Sequence, residues 1–149
     1  CLQEEGWLVN RNDNLLAIGV DATNGRWDTI AEVCENDKLV FLGSVCPVKV
    51  PGEKRNPVSE YLMRVNRLTS LGTFAMDFDD GEVRFKTVLF AENEETIRST
   101  LGSLLNNNIA MMDKFLPGIL AVIASDKTPA EALSEILMGC PIDRRYIYN

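Results

Sequence analysis

The 149-residue chain reads as an α+β fold, a five-stranded antiparallel sheet made of a three-stranded meander plus a hairpin, with helices packed against it. Three observations predict this. Short β-rich runs separated by Asn24-Gly25 and Asn36-Asp37 fill the stretch from Leu15 to Val45. A second alternating pair flanks Asp80-Gly81, and apolar stripes at helical spacing follow starts marked by asparagine or proline. The length suits one domain with its own core over residues 1–149, and is too short for two ordinary domains.

Taken in order, Cys1 to Glu5 followed by Gly6 has the form of a last helical turn with glycine just past its end, so an N-terminal helix is expected to begin upstream. The chain opens at Cys1 without a methionine, which leaves two readings, a shortened chain or a lipoprotein whose lipidated residue is Cys1. With no signal segment in view, the shortened chain is preferred. The meander follows. Two-residue turns would set Thr23 opposite Arg26 and Glu35 opposite Lys38. One face then carries Leu16, Ile18, Val20, Ala22, Trp27, Ala31, Val33, Val40 and Leu42 and is core. The opposite face mixes Ala17, Asp21, Arg26, Asp28 and Glu32 with Leu15, Ile30, Leu39, Phe41 and Val45.

Beyond the loop from Pro47 to Arg55, Asn56 is a candidate N-cap and Pro57 a first helical residue, where its missing N–H costs nothing. Val58, Tyr61, Leu62, Val65 and Leu68 then form one apolar stripe. The hairpin from Thr73 to Phe90 turns at Asp80-Gly81; a two-residue loop sets Phe78 against Val83, Met76 against Phe85 and Asp77 against Arg84. Asn93 with Glu94 and Glu95 caps a helix carrying Ile97, Leu101, Leu104, Leu105 and Ile109. The poor helix formers Asn106 to Asn108 predict a break before the apolar stretch from Met111 to Ala124. Thr128, Pro129 and Glu131 form a capping box for a final short helix ending near Gly139, and residues 140–149 read as an irregular tail.

Composition removes several function classes. The net charge of −7 opposes nonspecific binding of nucleic acid or anionic membrane, which needs a basic surface. The absence of histidine removes the usual general base and zinc ligand. The four cysteines, Cys1, Cys34, Cys46 and Cys140, lie far apart with no CxxC spacing, so reduced thiols in a cytoplasmic protein are expected. The longest apolar run, Phe115 to Ala124, is about half a membrane span, and Pro117 and Gly118 interrupt it.

The acidic run Asp77, Asp79, Asp80, Glu82 invites a calcium reading, but counted from Asp77 the positions of Gly81, Glu82 and Val88 are wrong for an EF-hand, and the run reads as a turn. No G-x-S-x-G elbow, P-loop or G-x-G-x-x-G is present, so no enzyme, metal or cofactor is expected. Trp7, Trp27, Tyr146 and Tyr148 are candidate binding aromatics, Trp27 being placed in the core. The feature of most weight is the mixed face, where Ile30, Phe41 and Val45 sit among charges. A contiguous apolar patch is rarely left in water, so a partner, a second subunit or the upstream helix should cover it.

The stretch Glu60 to Thr87, with Asn66-Arg67-Leu68, Gly72-Thr73-Phe74 and Asp77 to Arg84 in that order, resembles the YbjN family and its cyanobacterial and plastid relatives. The likeness extends weakly from about Trp7 to Leu137. It implies a fold like that of type III secretion chaperones, with helices on one side of the sheet, often a homodimer binding extended client segments. It also implies sensory-transduction or stress regulation, a cytoplasmic or plastid-stromal location, and no catalytic residue to carry over. The expected function is a non-enzymatic protein-binding or regulatory module acting through Ile30, Phe41 and Val45 or an unpaired sheet edge. The alternative is a carrier of a small apolar ligand between the 111–124 helix and the sheet.

Overall fold

A computed structural model of the chain describes residues 8–9, 15–34 and 38–139. The expectations for Cys1 to Trp7, the Asn36-Asp37 turn, Cys140, Arg144, Arg145, Tyr146 and Tyr148 lie outside those residues. The strands are β1 (Leu8–Val9), β2 (Leu15–Asp21), β3 (Arg26–Cys34), β4 (Leu39–Val45), β5 (Thr73–Met76) and β6 (Val83–Phe90). The helices are α1 (Arg55–Asn66), α2 (Glu94–Ala124) and α3 (Pro129–Gly139). The sheet is antiparallel throughout, in the order β1-β2-β3-β4-β6-β5. The five expected strands are thus present in an α+β fold, with the two-residue β1 added at the edge beside β2.

Alternation decides the faces. Trp27, Ala31, Val40, Leu42, Val83 and Phe85, all buried, point to the side that carries the helices. The first meander turn differs from expectation. Asp21 stands opposite Arg26, and Ala22 N–H donates to the Gly25 carbonyl at 2.9 Å, so Thr23 and Asn24 are the central residues. The shift is two residues, one full side-chain period, so every residue keeps its predicted face. In the second turn Cys34 stands opposite Leu39, the register expected from the sequence.

The β5–β6 hairpin is corrected in the same way. Phe74, not Met76, faces Phe85, with ring centroids 4.8 Å apart, and Met76 faces Val83. The loop runs over Phe78, Asp79, Asp80 and Gly81 between the Asp77 and Glu82 main-chain pair. Gly81 has φ +82°, and a Cβ there would lie 2.1 Å from the Val50 carbonyl oxygen. Main-chain N–H groups of Asp79 and Glu82 are taken by the Asp77 and Asp80 carboxylates. The Glu82 N–H, followed by Lys49, holds the Asp80 carboxyl below its ordinary range. Phe78 is left outside the hairpin, 50% exposed, and Arg84 reaches Glu82 rather than Asp77.

Helix α1 starts two residues earlier than Pro57, at Arg55, on a single 3-10 turn over Gly52–Lys54. Pro57 still falls in the first turn, where N–H groups lack intrahelical partners. Its stripe Val58, Tyr61, Leu62 and Val65 is buried as expected, whereas Leu68 lies past the helix end. Helix α2 is capped by Asn93, whose side chain accepts from Thr96 N–H at 2.8 Å. It then runs unbroken through Asn106–Asn108 and Pro117 to Ala124.

Two tertiary contacts explain that continuity. Asn108 is fully buried and fixed to the sheet, as described below. Pro117 cannot donate to the Asp113 carbonyl one turn back. That carbonyl accepts instead from Asn24 Nδ2 at 2.9 Å, while Asn24 N–H donates to Asp113 Oδ1 at 2.7 Å. Tyr61, fully buried, donates its hydroxyl to the Phe115 carbonyl at 2.8 Å. Gly118 is what allows this approach, since a Cβ there would sit 2.0 Å from the Tyr61 hydroxyl. Burial drives the Tyr61 phenol pKa well above its ordinary value.

The core has two parts under α2. One joins Trp27, Tyr61, Phe74, Phe85, Phe115 and Ile119 with α1 and α3; the other joins Ala31, Val40, Leu42, Leu101 and Leu105. α3 closes the layer through Ala132. Thr128 caps it as the sequence predicts, its hydroxyl accepting from Glu131 N–H at 3.1 Å, but the Glu131 carboxylate accepts from that same hydroxyl at 2.9 Å, so the reciprocal half of the capping box is replaced by a side-chain contact.

Candidate functional site

Between the two parts of the core lies a polar chain. Thr29 Oγ1 and Ser44 Oγ are 2.9 Å apart, and Ser44 Oγ donates to Asn108 Oδ1 at 2.6 Å. Asn108 Nδ2 donates to the Phe85 carbonyl at 3.0 Å and to Thr87 Oγ1 at 2.9 Å. All four residues are 2% exposed or less, and every member is paired. A satisfied buried network registers one helix on three strands; it offers no open position to a substrate. It therefore belongs to the architecture.

Among the described residues, no helix lies over the opposite, outer face of the sheet. β4 lies at its centre between β3 and β6, and the registers fix what stands beside what. Glu32, Phe41 and Val88 form one row, and Ile30, Gly43 and Lys86 the next. Val45 stands beside Arg84, with Asp28, one residue beyond the Thr29–Ser44 pair, continuing that row. Toward the other end Cys34, Leu39 and Phe90 are aligned. Ile30, Phe41 and Val45 are half-buried, while Val88 and Phe90 are 53% and 59% exposed.

Two shallow hollows run along this face. One, of about 360 Å³, is floored by Gly43 and bordered by Ile30, Glu32, Phe41, Arg84 and Lys86. The other, of about 740 Å³, is bordered by Gly19, Asp28, Ile30, Val45, Glu82 and Arg84. They share Ile30 and Arg84 and form one trough. Its β3 wall carries Asp28 and Glu32, with Arg26 at its end ion-paired to Asp21 of β2, and its β6 wall carries Arg84 and Lys86. The structure thus brings together Ile30, Phe41 and Val45, the residues singled out in the sequence. It adds Val88, Phe90, Arg84 and Lys86. Alternation over 83–90 marked these four as sharing a face, but only the pairing of β4 with β6 places that face beside Phe41.

The edges are a separate matter. Strand β5 ends the sheet on one side, and there the Asn66 amide occupies both main-chain groups of Phe74. Phe74 N–H donates to Asn66 Oδ1 at 2.7 Å, and Asn66 Nδ2 donates to the Phe74 carbonyl at 3.0 Å. A side chain holds the place an added strand would take. At the other edge β1 is only two residues long.

Around the second half of α2, Met112, Phe115, Leu116, Ile119 and Val122 are buried, so the side toward the sheet is filled. A hollow of about 320 Å³ does border this helix, but against the loop after α1, between Leu68–Leu71 and Asn107, Met111 and Phe115. The Asn107 Oδ1 atom is buried without a hydrogen-bond partner among the described residues. Cys46 is buried in the core and burial pushes its thiol pKa up, so it is a poor nucleophile. Among the described residues no group of three or more carboxylate or thiol side chains is placed to hold a metal, and no helix is long and apolar enough to cross a membrane.

No family model matches the chain, and no curated protein matches its sequence.

Proposed function

We propose that the protein is a non-enzymatic binding module that engages another polypeptide through the outer face of its sheet. What supports this reading is one observation: Val88 and Phe90 stand more than half exposed beside Phe41 and Leu39 on a face over which no helix lies among the described residues. Contiguous apolar surface of this kind marks a binding site far more often than a solvated one. The Asn66 clamp on β5 favours the face over the edge as the route of binding. The resemblance to the YbjN family and to type III secretion chaperones points the same way, toward regulation by binding in the cytoplasm or stroma.

The test compares the tagged protein with its Phe41→Glu and Phe90→Glu variants in affinity capture from the source extract. A recurrent partner that both variants lose, with thermal midpoints within about 2 °C of the parent, supports the reading. A partner retained by both variants removes the outer face from the mechanism.

A second reading rests on the 320 Å³ hollow beside α2, whose size suits a small ligand. There a small, mainly apolar molecule carrying one hydrogen-bond donor for the unpaired Asn107 Oδ1 would be carried. Native mass spectrometry after gentle purification checks it; a bare polypeptide mass counts against it.

A further inference from the structure

We propose that Asn24 is a site of spontaneous chemical modification, converted to aspartate or isoaspartate through attack by the Gly25 nitrogen, and that this conversion unfastens the β2–β3 turn from helix α2. Asn24-Gly25 is the one Asn-Gly pair in the chain. Hairpin chemistry does not account for it. The turn centres on Thr23 and Asn24, and Gly81 is the glycine with positive φ among the described residues. Packing on α2 accounts for both residues instead. A Cβ at residue 25 would lie 2.9 Å from Leu116 Cδ2, so glycine lets the turn rest against the helix. Asn24 serves the Asp113 carbonyl that Pro117 leaves without a donor, through Nδ2 at 2.9 Å, while its own N–H donates to Asp113 Oδ1 at 2.7 Å. Docking a turn on a proline-containing helix thus sets an asparagine directly before a glycine.

That pair reacts with no reagent but water. Asn24 is exposed, glycine puts no side chain in the way of its own nitrogen, and no described backbone carbonyl accepts from the Gly25 N–H. Hydroxide removes the Gly25 N–H proton, and the nitrogen bonds to Asn24 Cγ. The Cγ–Nδ2 bond breaks, and Nδ2 leaves as ammonia, its third proton taken from water. Water then opens the five-membered imide. Breaking the bond from nitrogen to Cγ gives aspartate, and breaking the bond to the main-chain carbonyl carbon gives isoaspartate. The net change is one ammonia out and one water in.

The contact with α2 both guards the site and is destroyed by its conversion. While Asp113 holds the Asn24 amide and N–H, reaction waits on local opening of the turn. After conversion an acceptor oxygen stands where the donor stood, against the Asp113 carbonyl and beside the Asp113 carboxylate, so attraction becomes repulsion. Isoaspartate also routes the main chain through one extra carbon, which moves Gly25 off Leu116. The carbonyl one turn before Pro117 is then without its donor again.

The experiment holds the whole chain in mildly alkaline buffer, folded and in parallel unfolded in guanidinium, and follows each asparagine by peptide mass spectrometry, conversion adding one dalton. Asn24 should be the first asparagine converted in the unfolded chain, and should convert about threefold to tenfold more slowly in the folded one. Asp113→Ala, its fold checked by circular dichroism, should bring the folded rate within about twofold of the unfolded rate. The converted protein, separated by anion exchange through its added negative charge, should melt about 4 °C or more below the parent, as should Asn24→Asp. Pro117→Ala restores an N–H for the Asp113 carbonyl, so conversion in that background should lower the midpoint by less than half as much. Another asparagine converted first in the unfolded chain overturns the inference. So does a folded rate equal to the unfolded one, or an Asn24 still intact after about ten times the period that converts half the unfolded chain. A converted protein that melts with the parent overturns the link to α2. If Asp113→Ala does not fold, the Pro117→Ala comparison decides that link, and an undiminished loss there overturns it.

Discussion

The two faces of one sheet carry similar numbers of apolar side chains and use them in opposite ways. On the helix side Phe85, Leu42 and Val83 are buried, and even the polar Thr29, Ser44, Thr87 and Asn108 are closed into a complete hydrogen-bond chain. On the outer side Phe41, Val45 and Ile30 are only half-buried, and Val88 and Phe90 are more than half exposed. Apolar composition does not separate a core from a binding surface. What separates them is whether the fold itself supplies the second layer.

Strand β6 alone tests this. Phe85→Ala should cost about 3–5 kcal/mol in urea denaturation, the usual consequence of emptying a filled aromatic site. Phe90→Ala, five residues on, should cost less than about 0.5 kcal/mol in the monomer. A loss above about 2 kcal/mol for Phe90→Ala would mean that the outer face is already covered within the chain.

The next effect in size belongs to Asn108. Its replacement by Ala takes the acceptor from the Ser44 hydroxyl and the amide donor from Thr87 Oγ1 and the Phe85 carbonyl in the core, with an expected loss of about 2–3 kcal/mol. In a double-mutant cycle with Ser44→Ala the coupling should be about 1 kcal/mol. Additivity would show that the two groups do not act as one network.

Smaller again is the contact that replaces the hydrogen bond Pro117 cannot make. Asn24→Ala should destabilise by about 1 kcal/mol. The same change in a Pro117→Ala background should cost less, because an N–H at 117 would then serve the Asp113 carbonyl. The alkaline limb provides an independent check on burial. Cys46 and Tyr61 hold their protons more tightly folded than unfolded, so their contribution is complete below the ordinary thiol value of 9.0 and is lost as pH rises through the raised folded values. Cys46→Ala should flatten that decline above pH 9. The smallest effect is Phe78→Ser, within about 0.5 kcal/mol of the parent by thermal melting. A cost of several kcal/mol would restore the two-residue hairpin turn and bury Phe78 against Val83.

Much of this was legible in the chain. The facing of the described meander residues, the α1 stripe from Val58 to Val65, the Asn93 cap and the Thr128 N-cap all follow from local chemistry, and each stands in the structure. Two hairpin registers slipped by two residues because Asn24-Gly25 and Asp80-Gly81 fit either a two-residue turn or the loops found, and local preference cannot choose between them. The choice at the second lies with Phe74, which gains an aromatic neighbour in Phe85 and an amide clamp from Asn66. The candidate site divides in the same manner. Ile30, Phe41 and Val45 were visible as apolar positions on a mixed strand face. The basic wall and the exposed pair Val88 and Phe90 were invisible as neighbours, since strands next to each other in the sheet are separated in sequence by α1 and β5.

By itself the amino-acid order determined periodicities, caps and therefore which side chains share a face, because those depend on bond geometry within a few residues. Only the tertiary structure decided that α2 runs unbroken through three asparagines and a proline, because the compensation comes from Ser44, Thr87, Phe85 and Asn24 on distant strands and turns. It likewise decided that Asp28 and Glu32 of β3 and Arg84 and Lys86 of β6 stand on either side of the uncharged β4, since strand order is set by which surfaces pack, and no local signal carries it.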